Sequence, residues 1–436
     1  MKKIKIDKYL KKIQIKRELY SHNVTLATSE KVSYSNLNQR HGSPLKNNVF
    51  NKGRFVYEKY RMAVVIPVYG EYEYIGKVLN SLSVNNYSSL VVLVINNPAE
   101  GANGRYVKQN QRLLRELENG SFQEKFHLNK LNTAWLDASG KGLELPGKGG
   151  VGMARKLGMD STLNYLDWDN DPIIISLDAD TLVEENYLKS IESFFNEHTD
   201  ISAASISFKH LSGNSPEEER AIREYEYYIK YYVNNLKRAG SPYAYHTIGS
   251  AMVCRADAYI RAGGMKLHRG GEDFYFMQGL RKLAPIMEIT DTIVYPSARP
   301  SDRVPFGTGP KVQECLNGTQ LKLYNPKIFD ILKVSLQYAE SWIYSGNVAQ
   351  PEMFIGLLSE EAADYFISLG FKIIWANILK NNVKKEDQLS ENDRKKLLWA
   401  FHVWFDAFKT LKFVHFLEKE YPGIYSKIDI AYFKNI

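Results

Sequence analysis

Two pairs of acidic residues are the clearest candidates for chemistry in this sequence. Asp178 and Asp180 flank Ala179 and directly follow an apolar run at residues 173–177. Two carboxylates at this spacing repel one another when they are desolvated, and a hard divalent cation relieves the repulsion. Mg²⁺ or Mn²⁺ held there would bridge to the phosphates of a substrate and screen their charge. An Asp-x-Asp also occurs in surface turns, but after a buried strand it favours a metal site.

The second pair, Glu272 and Asp273, follows two glycines and enters an apolar helical stretch. Partial burial raises the pKa of a carboxyl group toward the range that suits a general base. The alternative is structural, because the dipole of a helix favours acids at its N-terminus whatever their function. The sequence leaves both interpretations open.

A glycine-rich stretch at residues 142–152 contains Lys148 and leads into a helix that carries Arg155. It nearly matches the phosphate-binding loop of ATPases, but Gly149 stands where that loop needs a magnesium-binding hydroxyl, which argues against an ATPase. Backbone amides at a helix start, with a nearby cation, still suit a phosphate or diphosphate. A plain mobile loop is the alternative interpretation.

Short, continuous apolar runs alternate with helical patterns between residues 62 and 208. The runs predicted as strands are residues 62–69, 90–95, 172–177 and 201–208, and the helices between them are predicted at 74–82, 104–120 and 153–165. Such runs indicate strands that are buried on both faces of a largely parallel sheet. Ligands of these sheets bind at the carboxyl ends of the strands, where the first acidic pair lies.

Length and composition indicate a globular protein of about two or three domains. The chain has 436 residues, of which 44% are apolar, and two cysteines, Cys254 and Cys315. That cysteine count excludes a disulfide framework and a four-thiolate zinc site, and it fits a reducing cytoplasm. We expect no membrane-spanning helix, since no apolar run reaches the ~18–20 residues that one needs. The lysine-rich N-terminus lacks the apolar core of a secretory signal.

The net charge of +8 is concentrated at the N-terminus. Residues 1–20 hold eight basic and two acidic side chains, and their apolar residues recur at helical spacing. Such a helix can lie on an anionic membrane surface or pack its apolar face on its own protein. The aromatic residues of 397–417 predict a helical region packed against the α/β unit, with a membrane or partner contact as the alternative. No recognition motif for nucleic acid accompanies the charge, so nucleic acid is not an expected partner.

The order of these motifs resembles the family-two glycosyltransferases of the GT-A fold. The matching pieces are Val-Val-Ile-Pro-Val-Tyr69 with Glu71, Gly152-Met-Ala-Arg155-Lys-Leu-Gly158, Leu-Asp178-Ala-Asp180, Gly249-Ser-Ala-Met-Val-Cys-Arg255, Ala-Gly263-Gly264 and Gly-Gly-Glu272-Asp273. Each motif is short, but the series is specific in this order and spans residues 62–300. The resemblance implies a Rossmann-like mixed sheet covered by helices at 61–315, after a basic segment and lead-in at 1–60 and before a mainly helical region at 316–436.

The resemblance also implies where a donor and a metal would bind. A nucleotide-sugar donor would lie across the end of the first strand, near Pro67, Tyr69 and Glu71. A divalent metal, Mn²⁺ or Mg²⁺, would sit on Asp180, with Asp178 on the ribose or on a metal-bound water. The other residues on the donor side are Asn96, Asn97, Lys148, Arg155 and Ala179.

For the acceptor, the resemblance implies that Asp273, beside Glu272, deprotonates a hydroxyl group. In-line attack on the anomeric carbon would then invert its configuration. The acceptor would be a glycan, a lipid-linked sugar or a small molecule of cell-envelope synthesis, reached by a cytoplasmic enzyme at the inner face of the membrane. Four further residues are assigned to the acceptor or diphosphate side: His246, Arg269, Arg299 and Arg303. For Arg299 and Arg303, the alternative is an ordinary ion-paired surface loop.

The chain departs from the family pattern at two places. Family members usually carry an acid after the second strand, where this chain has Asn96 and Asn97, and an Asn where it has Gly70. An amide both donates and accepts hydrogen bonds, which leaves the nucleobase open. Without the transmembrane helices of the polymerising synthases, we expect a single transfer per acceptor. The alternatives are a retaining relative of the glucosyl- or mannosyl-glycerate synthase kind, a nucleotidyltransferase and a non-catalytic sugar-nucleotide binding protein.

Overall fold

The computed structural model describes residues 8–9, 27–28, 59–128, 130–146, 149–267, 270–299, 307–383 and 389–425. Three of the predicted site residues therefore lie outside the described residues, and their roles stay predictions: Lys148, Arg269 and Arg303. Of the basic N-terminal segment, Lys8 and Tyr9 are described.

The chain forms two compact units, and each consists of two segments. The first unit is Met1–Ser212 with Thr247–Ala298, and the second is Gly213–His246 with Arg299–Ile436. The segment Gly213–His246 thus joins the helical unit, although the sequence placed it within 61–315. Its helix carries tyrosines that pack on the core of the second unit, which explains the assignment. As a functional division, the ranges 1–60, 61–315 and 316–436 stay a prediction.

The first unit is built on a mixed sheet to which nine strands of the described residues contribute. They are β1 (Ala27–Thr28), β2 (Met62–Val68), β3 (Leu90–Asn96), β4 (Asn132–Ala138), β5 (Ile173–Ser176), β6 (Leu182–Val183), β7 (Ala203–Phe208), β8 (Met252–Arg255) and β9 (Ile286–Tyr295). Their order in the sheet is β1-β4-β3-β2-β5-β8-β7-β9-β6. The predicted strands are confirmed, because each predicted apolar run overlaps one of them.

The direction of the strands places the site. β4, β3, β2 and β5 run parallel to one another, whereas β8 lies antiparallel between β5 and β7. Every residue of β2, β3 and β5 is buried, as expected for strands covered by helices on both faces. The carboxyl ends of the four parallel strands therefore meet at one edge, which we call the carboxyl edge.

Helices follow most strands. They are α1 (Tyr72–Ser83), α2 (Gly104–Asn119), α3 (Ser121–Lys125), α4 (Gly150–Thr162), α5 (Tyr187–Glu197), α6 (Pro216–Arg238), α7 (Ala256–Arg261), α8 (Glu272–Arg281), α9 (Thr308–Leu316), α10 (Pro326–Ser345), α11 (Pro351–Leu357), α12 (Glu360–Ser368), α13 (Phe371–Asn382), α14 (Glu391–Trp404) and α15 (Ala407–Leu417). α1, α2, α4 and α8 matter most below, because they carry or support the site residues.

The second unit holds α6 and α9–α15, together with a short antiparallel ribbon of β10 (Lys322–Leu323) and β11 (Ile424–Tyr425). Its core is rich in aromatic side chains, among them Trp342, Phe354, Phe366, Trp375 and Phe401. The aromatic residues of 397–417 contribute to this core, so the prediction that they are largely core residues is confirmed. The core that they join is the second unit's own, and not the α/β unit named by the prediction.

The α/β class, the mixed sheet and the helical C-terminal region are confirmed by this architecture. Within the described ranges, no single helix is long and apolar enough to cross a membrane. α12 and α13 pass that test only as a pair, with a bend of 65° at the break between them.

Candidate active site

The first acidic pair lies at the carboxyl edge, where the sequence placed it. β5 ends at Ser176, and the backbone N–H of Leu177 still donates to the carbonyl of Val65 in β2 at 3.1 Å. The chain then turns, with the N–H of Thr181 donating to the carbonyl of Asp178 at 3.1 Å. Ala179 is buried within this turn, so the two carboxylates project from a backbone that the sheet holds in place.

Arg155 connects the two acidic pairs. Its guanidinium is buried and donates hydrogen bonds to Asp178 Oδ1 and to Glu272 Oε1. Burial opposes the charged guanidinium, but the carboxylates of Asp178, Glu272 and Asp273 outweigh burial and raise the pKa of Arg155. Arg155 therefore stays protonated and holds the turn after β5 to the start of α8.

The sequence placed Arg155 on the donor side, as a cation near a phosphate or diphosphate, and that assignment stays a prediction. α4 does present it at the carboxyl edge, but its side chain faces inward and is occupied by two carboxylates. Its role in the structure is to position Asp178 and Glu272.

Two glycines make this contact possible. A Cβ atom at Gly249 would lie 2.1 Å from Arg155 Nη2, and one at Gly152 would lie 2.8 Å from Glu272 Cγ. Neither distance is compatible with ordinary van der Waals packing. Both glycines belong to the motifs on which the family resemblance was based, and the structure supplies the physical reason for them.

Asp273 has the environment expected of a general base. It is half-buried in the first turn of α8, and one of its oxygens, Oδ1, accepts from the N–H of Phe274 at 2.7 Å. Burial and the neighbouring charge of Glu272 raise the pKa of Asp273 to about 7, although Arg155 opposes the shift. Glu272 is ion-paired with Arg155. Asp273 is therefore the better candidate of the pair for proton transfer.

Asp178 also has a perturbed carboxyl group. Burial raises its pKa and so does the charge of Asp180, while Arg155 acts in the opposite direction. A carboxyl group in this state gains most from a nearby cation, since the cation stabilises the ionised form.

The predicted donor residues line the ends of β2 and β3. Pro67 of β2 pairs with Val94 of β3. The pairing of β2 with β5 ends earlier, at Val65, so the N–H that proline lacks is not needed on the β5 side. Tyr69 accepts from the N–H of Asn103 at 3.0 Å, and Glu71, which is buried, accepts from the N–H of Tyr69 at 3.3 Å. These residues form one ordered turn at the carboxyl edge.

Asn97 and Asn96 differ in their surroundings. The amide of Asn97 is used at both ends, since Nδ2 donates to the carbonyl of Ser139 at 3.0 Å and Oδ1 accepts from Asn110 Nδ2 at 2.8 Å. Asn97 is therefore held as a structural link, whereas Asn96 contributes its carbonyl to the same network. Sequence analysis missed Asn110, because a polar residue within a charged helix gives no signal of its buried contacts.

The two remaining predicted residues belong to the second unit. His246 is buried and ends that unit's first segment, and Arg299 is half-buried and begins the second segment. Their assignment to the acceptor or diphosphate side stays a prediction.

Asp178 and Asp180 are the residues that would hold the predicted metal. In the described part of the chain, no group of three or more His, Cys, Asp or Glu side chains could hold a metal ion. Mg²⁺ commonly takes only one or two carboxylates and completes its coordination with substrate phosphates and water. The donor set therefore fits a metal that binds together with a diphosphate. One oxygen of Asp178 accepts from Arg155.

Comparison with known proteins gives structural neighbours alone. No protein-family model matches the chain, and no curated protein matches it significantly. A solved structure of TarS 1–349 from S. aureus in complex with UDP-GlcNAc is similar at 16% identity and a TM-score of 0.40, over 74% of this chain and 91% of that one. The mannosyltransferase PcManGT from Pyrobaculum calidifontis, in complex with GDP-Man and Mn²⁺, is similar at 14% identity and a TM-score of 0.35, over 80% and 88%.

Proposed function

We propose that the protein is a glycosyltransferase of the GT-A fold that moves one sugar from a nucleoside diphosphate donor to an acceptor hydroxyl. The observation that supports this most directly is the buried Arg155, which joins Asp178 of the first acidic pair to Glu272 of the second. Transfer from a diphosphate needs a place for the leaving group beside a base for the acceptor. A shared arginine brings both pairs into one site.

Each group has a defined task in this proposal. The turn with Pro67, Tyr69 and Glu71 binds the nucleotide, and Asp178 and Asp180 face the diphosphate. Asp273 accepts the proton of the acceptor hydroxyl, whose oxygen forms the new bond to the anomeric carbon as the bond to the diphosphate breaks. Asp180 would hold a divalent metal, which would supply positive charge to stabilise the departing diphosphate. Attack opposite the leaving group inverts the anomeric configuration.

A thermal-shift panel of nucleoside diphosphates and their sugars, with and without Mn²⁺, tests the proposal. A ligand that binds only the folded state raises the melting temperature, and the rise grows with the logarithm of the ligand concentration relative to its dissociation constant. We expect the diphosphate of one nucleobase to give the largest shift and Mn²⁺ to increase it. A protein whose melting temperature responds to none of these ligands would contradict the proposal.

Metal dependence gives a separate prediction. Asp180→Ala is expected to lower the rate of transfer by about 100-fold or more, because metal stabilisation of a departing oxygen is worth several kcal/mol. Chelation of the metal should have the same effect on the unmodified protein, and Mn²⁺ or Mg²⁺ should restore its activity. Asp169→Ala, at an exposed acid outside the site, is the control. Full activity of Asp180→Ala would remove Asp180 from the metal site.

We also propose that the enzyme works at the cytoplasmic face of a membrane on a glycan or lipid-linked acceptor of the cell envelope. The basic segment at 1–20 motivates this, but Tyr9 donates to the buried Asp160 at 3.1 Å, so deletion of the segment would disturb the fold. Replacing Lys2, Lys3, Lys5, Lys11 and Lys12 by Gln keeps that contact. We expect the variant to bind anionic vesicles more weakly at low salt, because salt screens such attraction. Equal sedimentation with the vesicles would reject membrane docking through this segment.

A further inference from the structure

The segments that form the predicted donor site meet on one side chain, Asn110 of α2. Its Oδ1 accepts from the backbone N–H of Gly70 at 3.0 Å. Its Nδ2 donates to the carbonyl of Asn96 at 3.0 Å and to Oδ1 of Asn97 at 2.8 Å. Asn110 is only 1% exposed. One buried amide thus joins the turn after β2 to the residues that end β3.

The network continues to β4. Because Asn97 Oδ1 accepts from Asn110, the amide of Asn97 is oriented so that Nδ2 reaches the carbonyl of Ser139, just beyond β4. The N–H of Asn97 donates to the carbonyl of Ala138 at 3.0 Å, which reinforces the same connection. The ends of β2, β3 and β4 are therefore held together by two side-chain amides, those of Asn110 and Asn97.

α2 supports the turn after β2 at two further points. The N–H of Tyr72 donates to Gln109 Oε1 at 3.2 Å, and the N–H of Asn103, the N-cap residue of α2, donates to the Tyr69 hydroxyl at 3.0 Å. The ring of Tyr106 packs edge-on against Tyr69, with 5.2 Å between the ring centroids. The conformation of the predicted nucleotide-binding turn is therefore set from α2 as well as from β2.

We propose that Asn110 is a positioning residue of the donor site, which holds the turn at 67–71 and residues 96–97 at the separation that a nucleoside diphosphate requires. The inference rests on the proposed function, since it assigns the donor to these two segments. If the amide of Asn110 were removed, the N–H of Gly70 and the carbonyl of Asn96 would each lose this buried hydrogen-bond partner, which is costly. The two segments would then move relative to one another, and small displacements of binding groups have large effects.

The test is Asn110→Ser, which shortens the side chain and removes its amide. We expect the dissociation constants of UDP or GDP, whichever the unmodified protein binds, and the KM of the matching donor to rise about 10- to 100-fold. The kcat at saturating donor should fall less than about threefold, since the variant leaves Asp273 and Arg155 in place. This division between KM and kcat distinguishes positioning of the donor from general damage to the fold.

Asn85→Ser is the matched control. Asn85 also makes three hydrogen bonds through its amide, to the carbonyls of Ser81 and Glu184 at 3.0 Å each and from the N–H of Leu188 at 2.9 Å. It lies in the same unit, and none of these three partners is a predicted donor residue. We expect it to lower the melting temperature to a similar extent and to leave nucleotide affinity within about twofold.

Three outcomes are decisive. Wild-type affinity of Asn110→Ser for the nucleoside diphosphate would overturn the role of Asn110 and leave the proposed function standing. Failure of the unmodified protein to bind UDP, GDP or their sugars would overturn the proposed function and this inference with it. If Asn110→Ser does not fold, Gln109→Ala replaces it, since Gln109 is half-buried and supports the same turn. An unchanged affinity of Gln109→Ala would then reject α2 as the positioning element.

Discussion

Asp273→Asn lowers the rate of sugar transfer by about 10²- to 10⁴-fold, the range expected when a general base is lost. The substitution keeps the size of the side chain and its contact with the N–H of Phe274, but the amide cannot accept the proton of an acceptor hydroxyl. Donor affinity should remain near the wild-type value, because Asp273 acts on the acceptor. Steady-state kinetics with saturating donor measure the effect.

The pH dependence of the unmodified enzyme is a second test of Asp273 as the general base. Burial and Glu272 raise the pKa of Asp273 to about 7, and a base must be unprotonated to act. Activity should therefore fall as the pH drops through about 7, whereas a carboxyl group with an ordinary pKa of ~3.9 would preserve it to much lower pH. An unshifted acid limb would contradict the assignment.

Asp257→Asn is the control for this prediction, because Asp257 is an exposed acid paired with Arg261. It should leave both the rate and the pH profile unchanged. Wild-type turnover in Asp273→Asn itself would exclude the inverting mechanism and favour the retaining alternative, which needs no base at this position.

Arg155→Met destabilises the protein by about 3–5 kcal/mol and abolishes transfer. The cost is that of leaving buried carboxylates without their partner, here Asp178 and Glu272. The pKa of Asp178, which burial already raises and Arg155 holds down, should rise further in the variant. An acid whose pKa is raised in the folded state loses stability as the pH rises through that range, so the variant should be weaker at pH 8 than at pH 5. Urea denaturation at both values measures the difference.

Three further variants test the role of Arg155. Gly249→Ala places a Cβ atom 2.1 Å from Arg155 Nη2 and should displace the guanidinium without removing its charge, at a cost of about 1–3 kcal/mol. Gly279→Ala, where nothing lies within 4 Å of the added atom, is its control. Arg261→Met, the control for Arg155→Met, removes an exposed ion pair and should be nearly neutral. A stable, fully active Arg155→Met would show that the two acidic pairs work independently.

Local patterns predicted the sheet and the position of both acidic pairs. The apolar runs are long enough, and apolar enough, to be strands buried on both faces, and the carboxyl ends of parallel strands are where ligands bind. Asp178 follows β5 and Glu272 opens α8 as expected. These properties depend on residues that are close in the chain, so a single sequence is sufficient to predict them.

Contacts between residues that are distant in the chain could not be predicted in this way. Arg155 lies 23 residues from Asp178 and 117 from Glu272, and no periodicity connects them. A cation at the start of a helix suggested a phosphate ligand, and its neighbours in the chain gave no sign of its burial or of its two carboxylate partners. Asn97 was assigned to the donor side by the family resemblance, which gives no sign of its contacts with Ser139 and Asn110. Asn110 itself gave no signal at all. Pair contacts of this kind are set by the tertiary packing of α2 and α4 on the sheet.

The most direct test of the central claim is identification of the products formed from UDP- and GDP-sugars in the presence of Mn²⁺, by mass spectrometry and phosphorus NMR. We expect release of the nucleoside diphosphate together with a glycosylated acceptor, or with free sugar where water replaces the acceptor, and we expect Asp180→Ala and Asp273→Asn each to lower its rate about 100-fold or more. A parallel reaction supplies a nucleoside triphosphate and a sugar phosphate instead. Release of pyrophosphate there, with no nucleoside diphosphate from any nucleotide-sugar donor, would contradict the proposed transfer.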